Sequence, residues 1–418
     1  MKQLDEAQVR AVRIVAQQFA GPAKTKARPQ KTPTSIGYVR TLGGADAYLA
    51  ARARMPGLTR GDLDALVTEE TLRVVPAVRG CIYLVPAAEA ALCLRVARTQ
   101  SATRDARDAE RAGIRAGELD KVAAAVLASL RADGPETTDG LRRRLPAGTI
   151  RSLGERGKKV GVSSPLPPAL RQLEFAGRIA RIPVEGRLDH EKYVWHPTTV
   201  DPFASAGLPE EPERLHGQLL TRFLDFAGVT ELPAFCAWSG LTQRDAKAAL
   251  PHAQFEPVLA AGLGQGAMAT AALGTLLRAV DRADEATALL PFEDNLMHQA
   301  GGLASFVAPP FHALPVPTWG EGKRVLHPLG SSRHVLFRSI LADGRIRGFW
   351  EYDPDARAVV THVFDPPAKA ARAAIEEVAA ETSTFLREQI GHGRSFSLDD
   401  DDELRRRTAE LRRMGGKR

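Results

Sequence analysis

The sequence predicts a mostly α-helical fold with short β-strands, in which groups of helices are each followed by a two-stranded ribbon. Residues 118–132 repeat apolar side chains at a spacing of three to four, which predicts an amphipathic helix. Thr138 opens a second helix and Pro165 a third. Strands are predicted at 178–182 and 192–196, on either side of a turn. This order of helices, strand, loop and strand is typical of a winged helix-turn-helix, which we place at residues 118–200.

A first winged-helix unit with a similar outline is predicted over residues 1–117. Arg79 and Gly80 mark the turn between its two strands. Its predicted elements are helices at 4–20, 34–54 and 58–67, followed by strands at 72–75 and 81–85.

A third winged-helix unit is predicted at residues 213–260, where three helical patterns follow one another. Residues 280–395 are predicted to form a C-terminal β-rich segment, with Asp343-Gly344 as a hairpin turn and a closing helix at 366–390. Residues 396–418 form a charged tail. Its acids precede a run of arginines, which suits a short exposed helix with the acids near its N-terminus.

The positive charge of the chain is concentrated in two segments. The net charge is +7 over 418 residues. Residues 1–60 hold 11 Lys/Arg against 3 acids, and residues 141–200 hold 12 against 5, so the remainder is acidic. Two basic segments on an otherwise acidic chain predict a positively charged surface that binds phosphates, a phosphate footprint. The alternative is two solvated surfaces.

The composition excludes several classes of protein. Three cysteines cannot supply a disulfide framework, and no apolar run approaches the length of a membrane span. The first residues lack the apolar stretch of a secretory signal. The histidines His298, His312, His327 and His334 are spread over 37 residues without the short spacings of a zinc site. We therefore interpret them as surface or packing residues and predict no metal site.

Six strings, taken together in order and spacing, carry a resemblance to a known family. They are Met55-Pro56-Gly57-Leu58-Thr59, Arg79-Gly80-Cys81-Ile82-Tyr83-Leu84-Val85-Pro86, Leu170-Arg171-Gln172-Leu173-Glu174, Phe235-Cys236-Ala237-Trp238-Ser239-Gly240-Leu241, Leu289-Leu290-Pro291-Phe292-Glu293-Asp294 and Asp343-Gly344-Arg345-Ile346-Arg347-Gly348. From about residue 5 to 390, the chain resembles the tandem winged-helix DNA-binding family that contains the crosslink-unhooking bacterial DNA glycosylases of the AlkZ and YcaQ type.

The resemblance implies three winged helices around a concave DNA-binding face, with a C-terminal β-rich segment. It implies hydrolysis of the N-glycosidic bond of alkylated purines, including crosslinked ones, in double-stranded DNA. No metal or redox cofactor is expected, nor a membrane partner. A repair enzyme without sequence specificity needs no two-fold symmetry, so we expect a monomer. We also expect the protein to lie in the bacterial cytoplasm, at the nucleoid.

The catalytic signature of the family is only partly present. It consists of a Gln, an apolar residue, and a Gln or Asp, shortly after a Leu-Gly pair. Here the corresponding stretch, 39–49, is about two residues shorter and contains no Gln. The best placement puts Gly44 at the first signature position and Asp46 at the second. A carboxylate is therefore retained and an amide is lost.

Asp46 is the candidate catalytic residue. Hydrolysis of an N-glycosidic bond needs a positioned water and stabilisation of a cationic sugar, and one carboxylate can serve both. Asp46 is the only acid in residues 7–61. Alternatively, Asp46 is the N-cap of a helix that begins at Ala47. The chain is accordingly either a glycosylase or a non-catalytic DNA-binding protein on the same scaffold, a regulator or lesion binder.

Several further residues are candidates for DNA contact. Tyr48 could stack on a base or a sugar, or be a core aromatic. Arg79 could bind a phosphate from its turn, and the loop at 184–190 is predicted to be a wing that enters a groove or contacts phosphate. For the Glu293-Asp294 pair, the resemblance favours capping at a loop start over catalysis. The other predicted DNA-binding residues are Lys158, Lys159, Arg171, Arg187 and His190.

Overall fold

The computed structural model describes residues 1–19, 37–204, 206–320 and 323–415. The α-helices are α1 Glu6–Ala16, α2 Asp46–Arg52, α3 Arg60–Thr68, α4 Ala90–Ala112, α5 Glu118–Asp133, α6 Thr138–Arg144, α7 Gly154–Lys158, α8 Leu166–Phe175, α9 Pro212–Ala227, α10 Leu232–Ser239, α11 Gln243–Ala249, α12 Leu273–Leu277, α13 Asn295–Gln299, α14 Lys369–Phe385 and α15 Asp401–Gly415. The strands are β1 Lys2–Leu4, β2 Val39–Arg40, β3 Leu72–Pro76, β4 Ile82–Pro86, β5 Glu136–Thr137, β6 Ile179–Pro183, β7 Tyr193–Pro197, β8 Val229–Thr230, β9 Glu256–Ala260, β10 Met268–Ala269, β11 Ala288–Leu289, β12 Pro315–Gly320, β13 Lys323–Pro328, β14 Arg338–Ala342, β15 Arg345–Asp353 and β16 Ala358–Val363.

These elements form two compact units. Unit 1 comprises residues 1–63, 188–190 and 216–418, and unit 2 comprises 64–187 and 191–215. The stretch predicted as a first winged-helix unit, 1–117, thus contributes to both. The winged-helix boundaries stay predictions. Among the described helices, none is both long and apolar enough to cross a membrane.

The start of the chain joins the third predicted unit in one small sheet of unit 1. Strand β1 pairs in parallel with β9, and the sheet order is β1-β9-β10-β8. Asp5 and Gln8 form a capping box at the start of α1, which satisfies backbone donors that the first turn leaves unpaired. Val9 and Val12 of α1 then pack with Val258 of β9 in a shared apolar core.

A second sheet of unit 1 confirms the hairpin predicted at Asp343-Gly344. Its order is β11-β14-β15-β16, with antiparallel pairs. Asp343 and Gly344 both have positive φ, 49° and 63°. Positive φ at both central residues is the geometry of a type I′ turn, which Asp-Gly favours.

The predicted helix in the charged tail is present, but the prediction that it is exposed is wrong. One side of α15 is buried, through Leu404, Thr408 and Leu411, each at most 1% exposed. Arg407 on the same helix is also buried and ion-paired with Asp399. The helix is amphipathic, so its apolar side packs into unit 1 although its sequence reads as a run of charges.

In unit 2 the elements predicted for residues 118–200 are present. Helices α5, α6 and α8 surround one apolar core, together with Ile179 and Trp195 from the strands. The structure adds the helix α7 and the two-residue strand β5, which pairs with β7 in a sheet ordered β5-β7-β6. Thr137 caps α6 by accepting a hydrogen bond from the Gly140 N–H.

Candidate active site

The loop that leads into α2 is held against a distant stretch of backbone in unit 1. The Ala45 N–H donates to the Arg394 carbonyl at 2.8 Å, and the Ser397 N–H donates to the Leu42 carbonyl at 2.7 Å. Gly43 has a φ of 73°, which a glycine adopts at little cost. These contacts place the first residue of α2, Asp46, at a defined position.

The Asp46 side chain bonds to an arginine and does not cap its helix. Helix α2 begins at Asp46, Ala45 occupies the N-cap position, and no side-chain cap bond forms there. The Asp46 carboxylate instead accepts a hydrogen bond from Arg338 Nη2, 2.9 Å away. The alternative that Asp46 is an N-cap is therefore wrong, because its oxygen is engaged elsewhere.

Arg338 is the group that orients Asp46. Its side chain is fully buried on β14. The same Nη2 lies 2.8 Å from both the Gly393 carbonyl and Ser395 Oγ, and the guanidinium sits 5.0 Å from the centre of the Trp350 ring. A buried charge needs such partners, and they hold the guanidinium beside the carboxylate.

Behind Asp46 lies a compact network of charges. Arg407 contacts Glu351 at 3.2 Å and Asp399 at 2.8 Å. Arg338 lies 3.7 Å from the same Glu351. We call these four residues, together with Asp46, the Asp46 site. It contains three carboxyl groups and two guanidiniums, so one carboxyl group is in excess if all are ionised.

In this network, the carboxyl group of Asp46 has a raised pKa. Burial raises the pKa of Asp46 to about 7, Glu351 and Asp399 add to the rise, and Arg338 opposes it. The pKa of Asp399 is lowered instead, because its hydrogen bonds and ion pair with Arg407 outweigh its burial. The Asp46 side chain keeps 15% of its surface exposed. A partly accessible carboxyl group that titrates near neutrality is suited to accept a proton.

The position next to this site has no room for a side chain. A Cβ atom on Gly44 would lie 2.3 Å from the Ser395 carbonyl carbon and 2.5 Å from the Phe396 nitrogen. Both are backbone atoms, so a flexible side chain cannot move aside to make space. The amide that the family signature carries at the position aligned with Gly44 therefore has no place in this loop.

Gly44→Ala is expected to destabilise the protein by about 3 kcal/mol, the upper end of what overpacking costs, because the backbone at 395–396 must move. Urea unfolding measures this change. Gly61→Ala is the matched control, since Gly61 lies in α3 and its added Cβ would come no closer than 3.8 Å to another side chain. If the two variants prove equally stable, the steric argument is wrong.

Comparison with known proteins settles the family. A family model described as DNA glycosylase AlkZ-like matches residues 35–385. The chain belongs to the AlkZ-like DNA glycosylase family. The DNA glycosylase AlkZ of Streptomyces sahachiroi has a similar fold, with a TM-score of 0.65 at 18% identity, over 94% of this chain and 98% of that one. A comparison with curated proteins finds no match. Membership supports a DNA glycosylase role in DNA repair and implies that the chain binds DNA.

Sequence reasoning missed most of the residues around Asp46. Arg338 and Glu351 lie on β14 and β15, and Asp399 and Arg407 lie in the charged tail. One available signal was charge within otherwise apolar strands, since Arg338 and Glu351 interrupt stretches rich in Ile, Leu, Phe and Trp. A buried charge of this kind requires a partner.

The structure corrects the prediction that Tyr48 stacks on a base. Its side chain is 1% exposed, and its hydroxyl accepts a hydrogen bond from the Leu188 N–H at 2.8 Å. The ring is therefore a core aromatic, the alternative reading of this residue. Tyr48 lies only two residues after Asp46, but residues two apart on a helix point in different directions, so the two side chains do not share a surface.

The loop at 184–190 is predicted to be a wing that contacts DNA. The structure corrects this prediction at the tip of the loop, which is buried. Leu188 and Asp189 are only 2% and 6% exposed, and the His392 ring lies 3.5 Å from the Asp189 carboxylate. The apolar Leu188 side chain explains why this tip is buried. Arg187 and His190, on either side, are half-buried, and their contact with DNA stays a prediction.

The remaining predicted DNA-binding residues all lie in unit 2. Lys158 and Lys159 are exposed at the end of α7, and Arg171 is exposed on α8 and paired with Asp105 at 3.0 Å. Arg79 lies at the turn between β3 and β4, as predicted, with a φ of 58°. Its N–H donates to Gln100 Oε1, so the backbone of the turn is fixed.

Part of the positive charge of residues 1–60 is internal, so only the remaining basic side chains can form the predicted phosphate footprint, which stays a prediction. Arg13 is buried and donates to the Val229 carbonyl. Arg54 is buried and forms two 2.6 Å hydrogen bonds to Asp294. Lys24, Lys26, Arg28 and Lys31 lie outside the described residues. The basic count of this segment is therefore not a measure of surface charge.

Proposed function

We propose that this protein hydrolyses the N-glycosidic bond of alkylated or crosslinked purines in double-stranded DNA, with Asp46 as its catalytic carboxylate. The observation that carries the proposal is the partly exposed Asp46 carboxyl group, held by the buried Arg338 at 2.9 Å. Its pKa, which burial raises to about 7, is consistent with that role. Family membership supplies the reaction class.

In the proposed step, a water oxygen attacks C1′ of the damaged nucleotide. Asp46 accepts a proton from that water, and its negative charge stabilises the developing sugar cation. The bond from C1′ to the purine nitrogen breaks, and its electron pair leaves with the base. A base made cationic by alkylation departs as a neutral molecule, so no general acid is needed.

The test is an excision assay with the purified full-length chain. The substrates are duplexes that contain 7-methylguanine or a nitrogen-mustard crosslink, with undamaged duplex as the control. We expect release of the free base and an abasic site from a damaged duplex. No release from either damaged substrate, with duplex binding retained, would overturn the enzymatic proposal.

A non-catalytic DNA-binding role is the second candidate, and one observation favours it. The loop at Gly44 lacks the amide of the family signature and has no room for one. The Asp46 carboxyl group is therefore the one part of the signature that this loop retains. Retained lesion binding without base release is the result expected for this alternative.

For DNA binding, we propose that unit 2 acts through the predicted winged helix at residues 118–200. We further propose that the protein acts on DNA as a monomer, in the cytoplasm at the nucleoid. Lys158 and Lys159 are exposed neighbours at the end of α7. Lys158 pairs with the exposed Glu155, a contact that contributes little, so both ammonium groups are accessible to phosphate.

Lys158→Glu/Lys159→Glu is expected to weaken duplex binding at least about tenfold and to reduce the slope of log affinity against log salt by about 2, one for each lost phosphate contact. Fluorescence anisotropy across a salt series measures both. Lys369→Glu/Arg372→Glu makes the same change of charge at exposed positions of α14, outside the basic segments. Equal weakening by the two double variants would show that net charge alone matters.

A further inference from the structure

Three side chains with metal-ligating atoms meet in unit 1, outside the Asp46 site. Glu293, His298 and His334 each offer one such atom, and the three atoms lie within 4.8 Å of one another. We call them the Glu293 cluster. No other group of this kind is found in the part of the chain that the structure describes. His312 and His327, which the sequence spacing grouped with them, are not part of it.

We propose that the Glu293 cluster binds a divalent transition-metal ion, for which Zn²⁺ is the best match. Two imidazoles and one carboxylate are a ligand set that zinc accepts, and three protein ligands leave a fourth position for water. The same set also suits Co²⁺ and Fe²⁺. The proposal reverses the prediction that these histidines are only surface or packing residues.

The distances fit such a site with small movements. Ligand atoms about 2.1 Å from a tetrahedral zinc lie about 3.4 Å from one another. His298 Nε2 lies 3.3 Å from Glu293 Oε2, close to that value. His334 Nδ1 lies 2.6 Å from Glu293 Oε1, a hydrogen-bond distance that would open by under about 1 Å when a metal replaces the shared proton.

The carboxylate is held in place by groups outside the cluster. Arg40 Nη1 donates to Glu293 Oε2 at 2.6 Å, and it supplies the outer partner that metal-bound carboxylates commonly have. Glu293 has a φ of 53°, unusual for a residue other than glycine. Its neighbour Asp294 caps α13 and is ion-paired with Arg54. The capping prediction therefore holds for Asp294, whereas the Glu293 side chain faces the two histidines.

An ion could reach the cluster from solvent. The His334 side chain is 45% exposed, whereas those of His298 and Glu293 are 13% and 14% exposed. A bound ion would join the loop before α13, α13 itself and the segment that leads into β14. Metal binding should therefore stabilise the folded protein, and it requires no role in the proposed base release.

The test uses the full-length chain after removal of metal with a chelator. Zn²⁺ is titrated by calorimetry, and Co²⁺ is added as a spectroscopic probe for ligand-field absorption. The variants are His334→Ala, which alters an exposed side chain, and His298→Ala/His334→Ala. His327→Ala is the matched control, because His327 is exposed on β13 and lies outside the cluster. Circular dichroism verifies that each variant is folded.

We expect one Zn²⁺ per chain in the unaltered protein and in His327→Ala, with a thermal midpoint that rises with zinc concentration. Removal of a direct ligand should weaken binding at least about 100-fold, since loss of an outer partner alone can cost that much. The proposal is overturned if folded His298→Ala/His334→Ala binds zinc as tightly as the unaltered protein. Weak binding that His327→Ala reduces equally would also overturn it.

Discussion

Asp46→Asn is expected to abolish base release while leaving DNA binding unchanged. The amide is nearly the same size as the carboxyl group, but it cannot accept a proton from water or carry the negative charge that a sugar cation needs. Loss of a general base and of electrostatic stabilisation should slow release at least about 10³-fold. Single-turnover excision and anisotropy on the same alkylated duplex measure the two effects separately.

The matched control for this change is Asp281→Asn. Asp281 is an exposed aspartate of the same unit, and its substitution makes the same chemical change from a carboxyl group to an amide. It should release base at the rate of the unaltered protein. A full rate in Asp46→Asn would remove Asp46 from the mechanism, whatever the outcome for Asp281→Asn.

The same Asp46→Asn variant should be more stable than the unaltered protein, and increasingly so as the pH rises. The folded-state pKa of Asp46 is raised to about 7, whereas an unfolded aspartate titrates near 3.9. Between these values the folded chain binds the extra proton, so Asp46 lowers stability as the pH rises through that range. The full effect is about 4 kcal/mol above pH 7, since each unit is worth about 1.4 kcal/mol.

Urea unfolding at pH 5 and pH 8 measures this prediction. The stability advantage of Asp46→Asn should grow by about 3 kcal/mol between the two values. Other acids titrate in both proteins, so the difference between them isolates Asp46. An advantage that does not change with pH would mean that burial does not raise the pKa of Asp46. A stable but inactive variant is the usual sign of a site that gives up stability for function.

The sequence identified Asp46 but not its surroundings. The resemblance to the family signature places Asp46 at a catalytic position, and its being the only acid in residues 7–61 supports that placement. Its partner Arg338 is 292 residues away, and no local periodicity links two residues at that separation. The network behind Asp46 comes from elements that the sequence predicted separately, a sheet and a charged tail.

Local sequence patterns predicted the helices, strands and turns better than they predicted which side chains are buried. The helices and strands of 118–200 and the Asp343-Gly344 turn follow from spacing and turn chemistry, which act over a few residues. The burial of Arg54 does not, because it depends on the distant acid Asp294. Charge counted along a segment likewise cannot distinguish a solvated arginine from one inside the core.

The pH dependence of base release by the unaltered protein tests the central role of Asp46 most directly. Single-turnover release from a 7-methylguanine duplex is measured between pH 5 and pH 9, with spontaneous loss subtracted. Because the ionised carboxylate is the active form, the rate should rise about tenfold per unit at low pH and level off above the Asp46 pKa of about 7. A rate that is flat across this range, or that falls as the pH rises, would contradict a catalytic Asp46.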